Sequence, residues 1–431
     1  MKASVTLVSA AVVAALFTSP VDAKSELIQG ERNNLVKAGD WLQILLPGTA
    51  IVGSWAWGDT EGAWMATKTV AATAAATHTF KAGFKKLRPD ASANNSFPSG
   101  HTSAAFSGAA YLHHRYGNTV GVVAYTGAAL TGYSRLVANK HFVDDVVVGA
   151  SFGVLSSLYF TEPYESDLVI QPTPTKDGMA MNFSYVPGLA LASASTSQAT
   201  SKPKDYRWRF QLSFGSAKPN YNVFATGDDG PIDSRELNLN EDPDTFSALN
   251  FAYAINKYSD VHVTFVPYNR VDDSVLLRDV KFNGQMYSAG ERTVFSSHLW
   301  QLDTDYQLRL LPDTNFIVRA RAGLTFQHQR LAMDIYDGGR LSEVVQNRIM
   351  PAVGGTLGYR ITPQISLAAE GRYARWQNNR HHYLGGRFRY DFNQQWYAGV
   401  EAGRYKHRYD ETNLYNEVSY DSIGLKVGYH F

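Results

Sequence analysis

From residue 205 to the C-terminus, apolar and polar residues alternate with a period of two. Trp208, Phe210, Leu212 and Phe214 alternate with Arg207, Arg209, Gln211 and Ser213, and Trp300, Leu302, Tyr306, Leu308 and Leu310 with Gln301, Asp303, Asp305, Gln307 and Arg309. The last run sets Ile423, Leu425, Val427, Tyr429 and Phe431 against Gly424, Lys426, Gly428 and His430. A strand sends successive side chains to opposite faces, so each run predicts a strand with one apolar and one polar face. About ten such strands follow one another, within a range of about 8–12. Short turns at 256–260, 311–315, 361–364 and 392–395 contrast with longer polar loops at 215–243 and 269–292. Short turns at one end and long loops at the other predict an antiparallel transmembrane β-barrel of the outer-membrane type, with the barrel termini on the periplasmic side. Any single run would also suit a soluble sandwich. The whole set favours the barrel, as does the aromatic Phe431 at an apolar position, the candidate contact for the outer-membrane assembly machinery.

Residues 24–163 follow another pattern. Apolar residues come in blocks rich in Ala, Gly, Leu and Val, predicting helices over 41–57, 64–80, 102–116, 120–133 and 145–160. Several blocks are apolar nearly all round, as in a buried bundle or a lipid-facing one. Most are short for a bilayer span or interrupted by Pro47, Gly or charge, which favours a compact α-helical bundle. Between the halves, 168–171 and 179–186 form a candidate hairpin around Lys176-Asp177-Gly178. A Ser/Thr/Lys-rich stretch at 193–204 reads as a linker, so 164–204 joins the two domains. The chain opens with Lys2, an apolar run over 5–17 and Val21-Asp22-Ala23, the pattern of a secretory signal peptide over 1–23.

Composition narrows the function. The 40 basic and 39 acidic side chains nearly cancel, which argues against a nucleic-acid partner held by bulk charge. The absence of cysteine excludes disulfides, thiolate catalysis and Cys-ligated zinc. The pairs His113-His114 and His381-His382 are adjacent in sequence and so do not converge on one ion; both read as surface residues.

The chemistry concentrates between Lys81 and Asp145. Lys81 precedes Arg88-Pro89, then come Pro98-Ser99-Gly100-His101, Ser134-Arg135, His141 and Asp145. His141 and Asp145 are four apart and share a helix face, so the carboxylate can hold one ring nitrogen and leave the other as a nucleophile. Asp144 points elsewhere on that helix, and its removal is expected to be mild. Gly100 allows close backbone approach, Ser99 and the Gly100 N–H can donate to a phosphate oxygen, and His101 can act as general acid. Arg88 and Arg135 suit pairs of phosphate oxygens, and Lys81 adds a point charge on the face it shares with Arg88. Lys85 and Lys86 read as surface residues. Each element alone has a plainer explanation: a helix cap, a core His–Asp pair, exposed cations.

Together, Lys-x6-Arg-Pro, Pro-Ser-Gly-His and Ser-Arg-x5-His-x3-Asp resemble the three motifs of the type 2 phosphatidic acid phosphatase (PAP2) superfamily, in order and with every named residue present. That superfamily includes lipid phosphate phosphatases, class A acid phosphatases and vanadium haloperoxidases. Only eight residues separate Arg88-Pro89 from Pro98, which implies a compact loop over the pocket. The resemblance implies a helical bundle and phosphomonoester or pyrophosphate hydrolysis without metal or cofactor. In it, His141 forms a phosphohistidine, His101 protonates the leaving group and then activates water, and Lys81, Arg88, Ser99, Gly100 and Arg135 hold the phosphate. With the signal peptide and barrel, the expectation is a lipid phosphatase in the outer membrane of a Gram-negative bacterium, among its lipids, with the catalytic domain in the periplasm. The alternatives are an acid phosphatase acting on soluble phosphate esters, a vanadium-dependent halide oxidation, and a pore or adhesion barrel carrying a degenerate bundle.

Overall fold

The computed structural model describes residues 29–90, 92–164, 168–175, 178–185, 206–237, 242–336 and 341–431. The expected signal peptide and the 193–204 linker lie outside the described residues. The chain divides into two compact units between Asp205 and Tyr206.

The first unit holds five long helices among the described residues: α1 (Gln29–Gly48), α2 (Thr60–Gly83), α3 (Gly100–Tyr116), α4 (Asn118–Val137) and α5 (Val143–Phe160). Pro47 does not end the first helix. The chain continues through a π-helical turn, Thr49–Gly53, into Ser54–Ala56. Such a turn accommodates a position where the regular ladder has lost an N–H. Asp59 caps α2, accepting from Gly62 N at 2.8 Å, and its carboxylate also takes the Arg115 guanidinium at 2.7 and 2.8 Å. This buried fork ties the start of α2 to the end of α3. Removing one partner would strand a buried charge and cost about 3–5 kcal/mol.

Helix α3 is central and touches the other four. Close approach is built from small residues: a Cβ at Gly108 would lie 2.4 Å from the Leu46 carbonyl carbon, and one at Gly149 would lie 2.6 Å from Ser99 O. Phe106, Tyr111 and Tyr125 fill the space around α3. Helix α5 is long and apolar enough to cross a membrane by length and composition, yet most of it is buried.

The hairpin forms as β1 (Leu168–Thr175) and β2 (Gly178–Tyr185). The second unit is a closed antiparallel barrel of ten strands. These are β3 (Trp208–Thr226), β4 (Asp244–Asn256), β5 (Ser259–Val275), β6 (Arg292–Arg309), β7 (Phe316–Ile335), β8 (Ser342–Arg360), β9 (Ile365–Trp376), β10 (Asn379–Asp391), β11 (Trp396–Glu411) and β12 (Leu414–His430). Strand β12 pairs back onto β3, with Gly424 opposite Gly215 at the seam. A Cβ on Gly215 would meet Ile423 O at 2.1 Å.

The alternation is inverted relative to a water-soluble barrel. Leu308, Leu324, Leu357, Leu384, Val400 and Leu425 are exposed outside, while the inside carries polar and charged groups. Those inner groups pair with one another: Arg372 with Asp303 and Asp305, and Glu370 with Arg321 and Arg387. The interior cavity that remains is about 110 Å³.

The short turns fall where the pattern puts them, but the long loops are shorter than expected. Strands β3, β5 and β6 run on to Thr226, Val275 and back to Arg292. The sequence hid this because Pro219, Asn220 and Asn222 break the apolar pattern of β3. At that end Phe224, Phe282, Tyr287, Phe295 and Met333 form an apolar cluster, and the Tyr287 hydroxyl donates to Met333 O at 3.0 Å. His381 is fully buried inside the barrel, and only its neighbour His382 faces outward, so the surface assignment fails for His381. A period-two strand puts adjacent residues on opposite faces.

Candidate active site

Three segments converge on the start of α5. The loop after α2 descends as Ser96–Ser99, α3 begins at Gly100, and α4 ends just before His141. The Ser99 N–H donates to Asp145 O at 3.0 Å, stitching the loop to α5. Asp145 closes the N-terminus of α5, accepting from Phe142 N at 2.8 Å and from the Ser96 hydroxyl.

His141 is 4% exposed, and its Nδ1 lies 2.7 Å from Ser96 O. A carbonyl can only accept, so Nδ1 carries the proton and Nε2 keeps its lone pair. Asp145 Oδ2 is 3.6 Å from the same Nδ1. The expected His–Asp pairing therefore exists as a longer, secondary contact. The missed partner is Ser96, which reaches both residues, through its carbonyl to His141 and its hydroxyl to Asp145. A backbone acceptor leaves no trace in residue type, so no motif could have disclosed it.

Burial lowers the pKa of His141, opposed by Asp145 and reinforced by Lys81 and Arg88. Burial pushes Asp145 up, but Lys86, His141 and Ser96 outweigh it and hold the carboxyl below its usual range. His101 is pushed down to about 4 by burial, then Arg135, with Asp40 pulling upward and His141 lowering it further.

The surface reading of Lys86 is overturned. Lys86 is 4% exposed, its Nζ 2.5 Å from Asp144 Oδ2 and 3.3 Å from Asp145 Oδ1. Asp144 is fully buried. Its side chain does point away from His141, as helix geometry requires, but it points at a buried cation. Removing it would leave that buried cation without its nearest carboxylate. Lys85 is exposed, as read.

Arg88 does not share a helix face with Lys81, because α2 stops at Gly83. Asn95 brings them together: Lys81 Nζ donates to its backbone oxygen at 2.6 Å and Arg88 Nε to its Oδ1 at 2.9 Å. Burial lowers the pKa of Lys81, with Asp145 opposing and Arg88 reinforcing. The short connection to Pro98 is indeed compact, held by Arg88 N to Ala93 O at 2.9 Å and Ser96 N to Lys86 O at 3.0 Å.

Ser99 is fully buried and caps α3, its hydroxyl 2.9 Å from Thr102 Oγ1. It sets the helix start rather than opening toward a ligand. The first-turn N–H groups of α3, at Gly100 and His101, are the free donors that a helix N-terminus offers an anion. A Cβ at Gly100 would meet nothing within 4 Å, so this backbone borders open space. Asp40 on α1, absent from the motifs, lies 3.2 Å from His101 Nε2 and 2.9 Å from Arg135 Nη1. Arg135 is otherwise anchored on Val36 O at 3.0 Å.

The constellation is thus a neutral buried histidine with its Nε2 lone pair free, a second histidine beside an arginine, and two more cations on the approach.

Residues 62–164 match the family model of the PAP2 superfamily. These residues form a PAP2 superfamily domain. Two curated relatives match part of the chain. One is the lipid A 1-phosphatase of Porphyromonas gingivalis, 39% identical over 117 residues, covering 24% of this chain and 26% of the relative. The other is the lipid A 4'-phosphatase of Helicobacter pylori, 34% identical over 85 residues, covering 20% of this chain and 42% of the relative. The chain thus spans less than half the length of either. Among solved structures, the outer membrane protease OmpT of Escherichia coli aligns at 12% identity and TM-score 0.38, covering 54% of this chain and 99% of that one. The Aquifex aeolicus protein LpxE aligns at 22% identity and TM-score 0.26, covering 32% and 87%.

Two further histidines of the PAP2 domain depart from the surface reading. His113 Nε2 is 3.0 Å from Asn118 Oδ1, and His114 Nδ1 is 2.7 Å from Ser157 Oγ. Burial pushes His114 down to about 3. Both serve helix packing, away from the convergence on α5.

Proposed function

We propose that the PAP2 domain hydrolyses phosphate or pyrophosphate esters of lipids through a phosphohistidine on His141, and that the barrel anchors the protein in the outer membrane with the catalytic residues in the periplasm. The observation that carries the reading is the His141 Nδ1–H donated to Ser96 O at 2.7 Å, which leaves Nε2 as a nucleophile.

His141 Nε2 attacks phosphorus and forms the N–P bond as the P–O bond to the leaving group breaks. His101 gives its proton to the departing oxygen. Burial keeps free His101 neutral near pH 7, and an arriving phosphate dianion raises its proton affinity, so that His101 takes up a proton from solvent as the substrate binds. In the second half, His101 takes a proton from water, the hydroxide oxygen attacks phosphorus, and the N–P bond breaks to release phosphate. Lys81, Arg88, Arg135 and the Gly100 N–H hold the equatorial oxygens, where the transition state carries its charge. Ser99 contributes by fixing the start of α3. Asp145, through Ser96 and the start of α5, stabilises the cationic phosphohistidine.

Two observations support a lipid substrate. Trp41 follows Asp40 directly and begins a run of exposed apolar residues, with Ile44 and Leu45 on α1 and Val52 and Trp55 on the turns that continue it. Both curated relatives carry names for phosphatases of lipid A. The outward apolar face of the barrel supports a bilayer around it. The ion pairs across its interior and the apolar cluster at one end favour an anchor over a conducting pore.

The test is phosphate release from phosphatidate, a polyprenyl pyrophosphate, phosphorylated lipid A and p-nitrophenyl phosphate, against His141→Ala. Turnover of at least one lipid, exceeding that of the soluble ester and absent in the variant, is the expected result. Turnover of the soluble ester alone would select the acid-phosphatase alternative.

A further inference from the structure

The barrel exterior carries a cluster of cations that neither the catalytic chemistry nor the anchoring role requires. On β10 and β11, Arg380 lies directly opposite Arg408, and His382 directly opposite Lys406. Arg380 and Arg408 are like charges facing each other across a strand pair, which is destabilising, and Glu417, opposite Arg408 on β12, offsets only part of it. Arg404, two residues before Lys406, is paired with Asp421 at 2.6 Å, and Arg408 with Asp410 at 2.8 Å. Among the described residues, neither Arg380 nor Lys406 makes an ion pair with a carboxylate.

The cluster lies toward the barrel end remote from Trp208 and His430, beside the turns after Trp376 and Glu411. It borders a concavity of about 800 Å³ on the wall, whose lining combines Arg380, His382, Lys406 and the single carboxylate Glu417 with Leu384 and Val353. Leu384 and Val353 are 69% and 58% exposed, and the apolar exterior continues past them through Phe388 and Val400. Basic heads thus stand directly beside an apolar surface, the complement of one kind of molecule: an anionic headgroup on acyl chains. A soluble anion would use the cations and leave Leu384 and Val353 in water. Long basic side chains at the edge of a membrane-embedded surface reach for headgroup phosphates.

We propose that this exterior site binds a phosphorylated acyl lipid of the surrounding leaflet, its phosphate between Arg380 and Lys406 and its chains along Leu384 and Val353. The proposal rests on the reading of the barrel as membrane-embedded, and the site shares no residue with the phosphate pocket of the PAP2 domain.

The experiment counts lipids retained by the purified full chain in detergent, using native mass spectrometry. The probes are dioleoyl phosphatidate and dioleoyl phosphatidylcholine. His141→Ala serves as the background, so that the probe is not consumed. It should retain one more phosphatidate than the same chain carrying Arg380→Gln and Lys406→Gln, with Lys406→Gln alone intermediate. Phosphatidylcholine should be retained equally and weakly by all, and millimolar inorganic phosphate should not displace the extra lipid. In the otherwise unaltered protein, Arg380→Gln with Lys406→Gln should leave phosphatase turnover within about twofold, since neither residue touches the substrate. Equal phosphatidate counts in parent and variant, or equal retention of the two lipids, would overturn the proposal. Heat-modifiable gel migration of every variant reports a folded barrel. If the parent itself lacks that shift, the membrane reading fails first. If the shift is present and the counts are equal, only the lipid site fails.

Discussion

Lys86 and Asp144 form an ion pair of 2.5 Å in the interior of the helical unit, with Asp145 Oδ1 3.3 Å from the same ammonium. Lys86 therefore couples a structural carboxylate to the one that borders His141. Breaking the pair from either side strands a charge. Asp144→Ala and Lys86→Ala should each lower stability by about 3–5 kcal/mol. Lys86→Met with Asp144→Leu should recover most of that loss, because two apolar groups replace two charges. The double variant should still lose turnover, because Asp145 no longer has its cation. Chemical denaturation with parallel kinetics measures both. A stable double variant of normal activity would show that the pair is only structural.

His101 stands between opposing influences. Burial, Arg135 and His141 lower its pKa, and Asp40 raises it. Asp40→Asn removes the upward influence, so the free enzyme loses its protonated His101 at lower pH. The descending, alkaline limb of kcat/KM should move to lower pH, and Asp40→Glu should move it back. An unmoved limb would show that Asp40 does not act on the general acid. His101→Ala itself should cost on the order of a hundredfold to ten-thousandfold in kcat.

His114 gives a stability prediction with a definite sign. Burial holds it neutral in the folded state down to about pH 3, whereas an unfolded histidine titrates near 6.5. Between those values the unfolded state binds the extra proton, so stability falls as pH falls, by about 1.4 kcal/mol per pH unit at most. His114→Gln keeps a partner for Ser157 without the proton. From pH 7 to pH 5 it should lose less stability than the parent, by up to about 2 kcal/mol. Thermal unfolding followed by helical circular dichroism reads the difference. Equal losses would mean that His114 is not the titrating group.

The sequence carried the barrel because its apolar face must be continuous to meet an apolar surround, which leaves a period of two in every strand. It did not carry the strand end near Thr226, where Pro219, Asn220 and Asn222 interrupt that period. The motif set from Lys81 to Asp145 was legible because its residue types and spacing are chemically restrictive. Three of its supports were not. Asp40 comes from a helix some forty residues upstream, Ser96 acts on His141 through a backbone carbonyl, and Lys86 looks like any lysine beside Lys85 until its burial is seen. Contacts made by folding rather than by spacing leave no pattern along the chain.

The central claim is that His141 carries the phosphoryl group. Phosphate-labelled substrate mixed rapidly with enzyme and quenched in alkali should leave label on the peptide containing His141, stable to base and lost in acid, in less than one equivalent per chain. His141→Ala should leave none. Label of the same stability in His141→Ala, or steady turnover by that variant, would contradict the account.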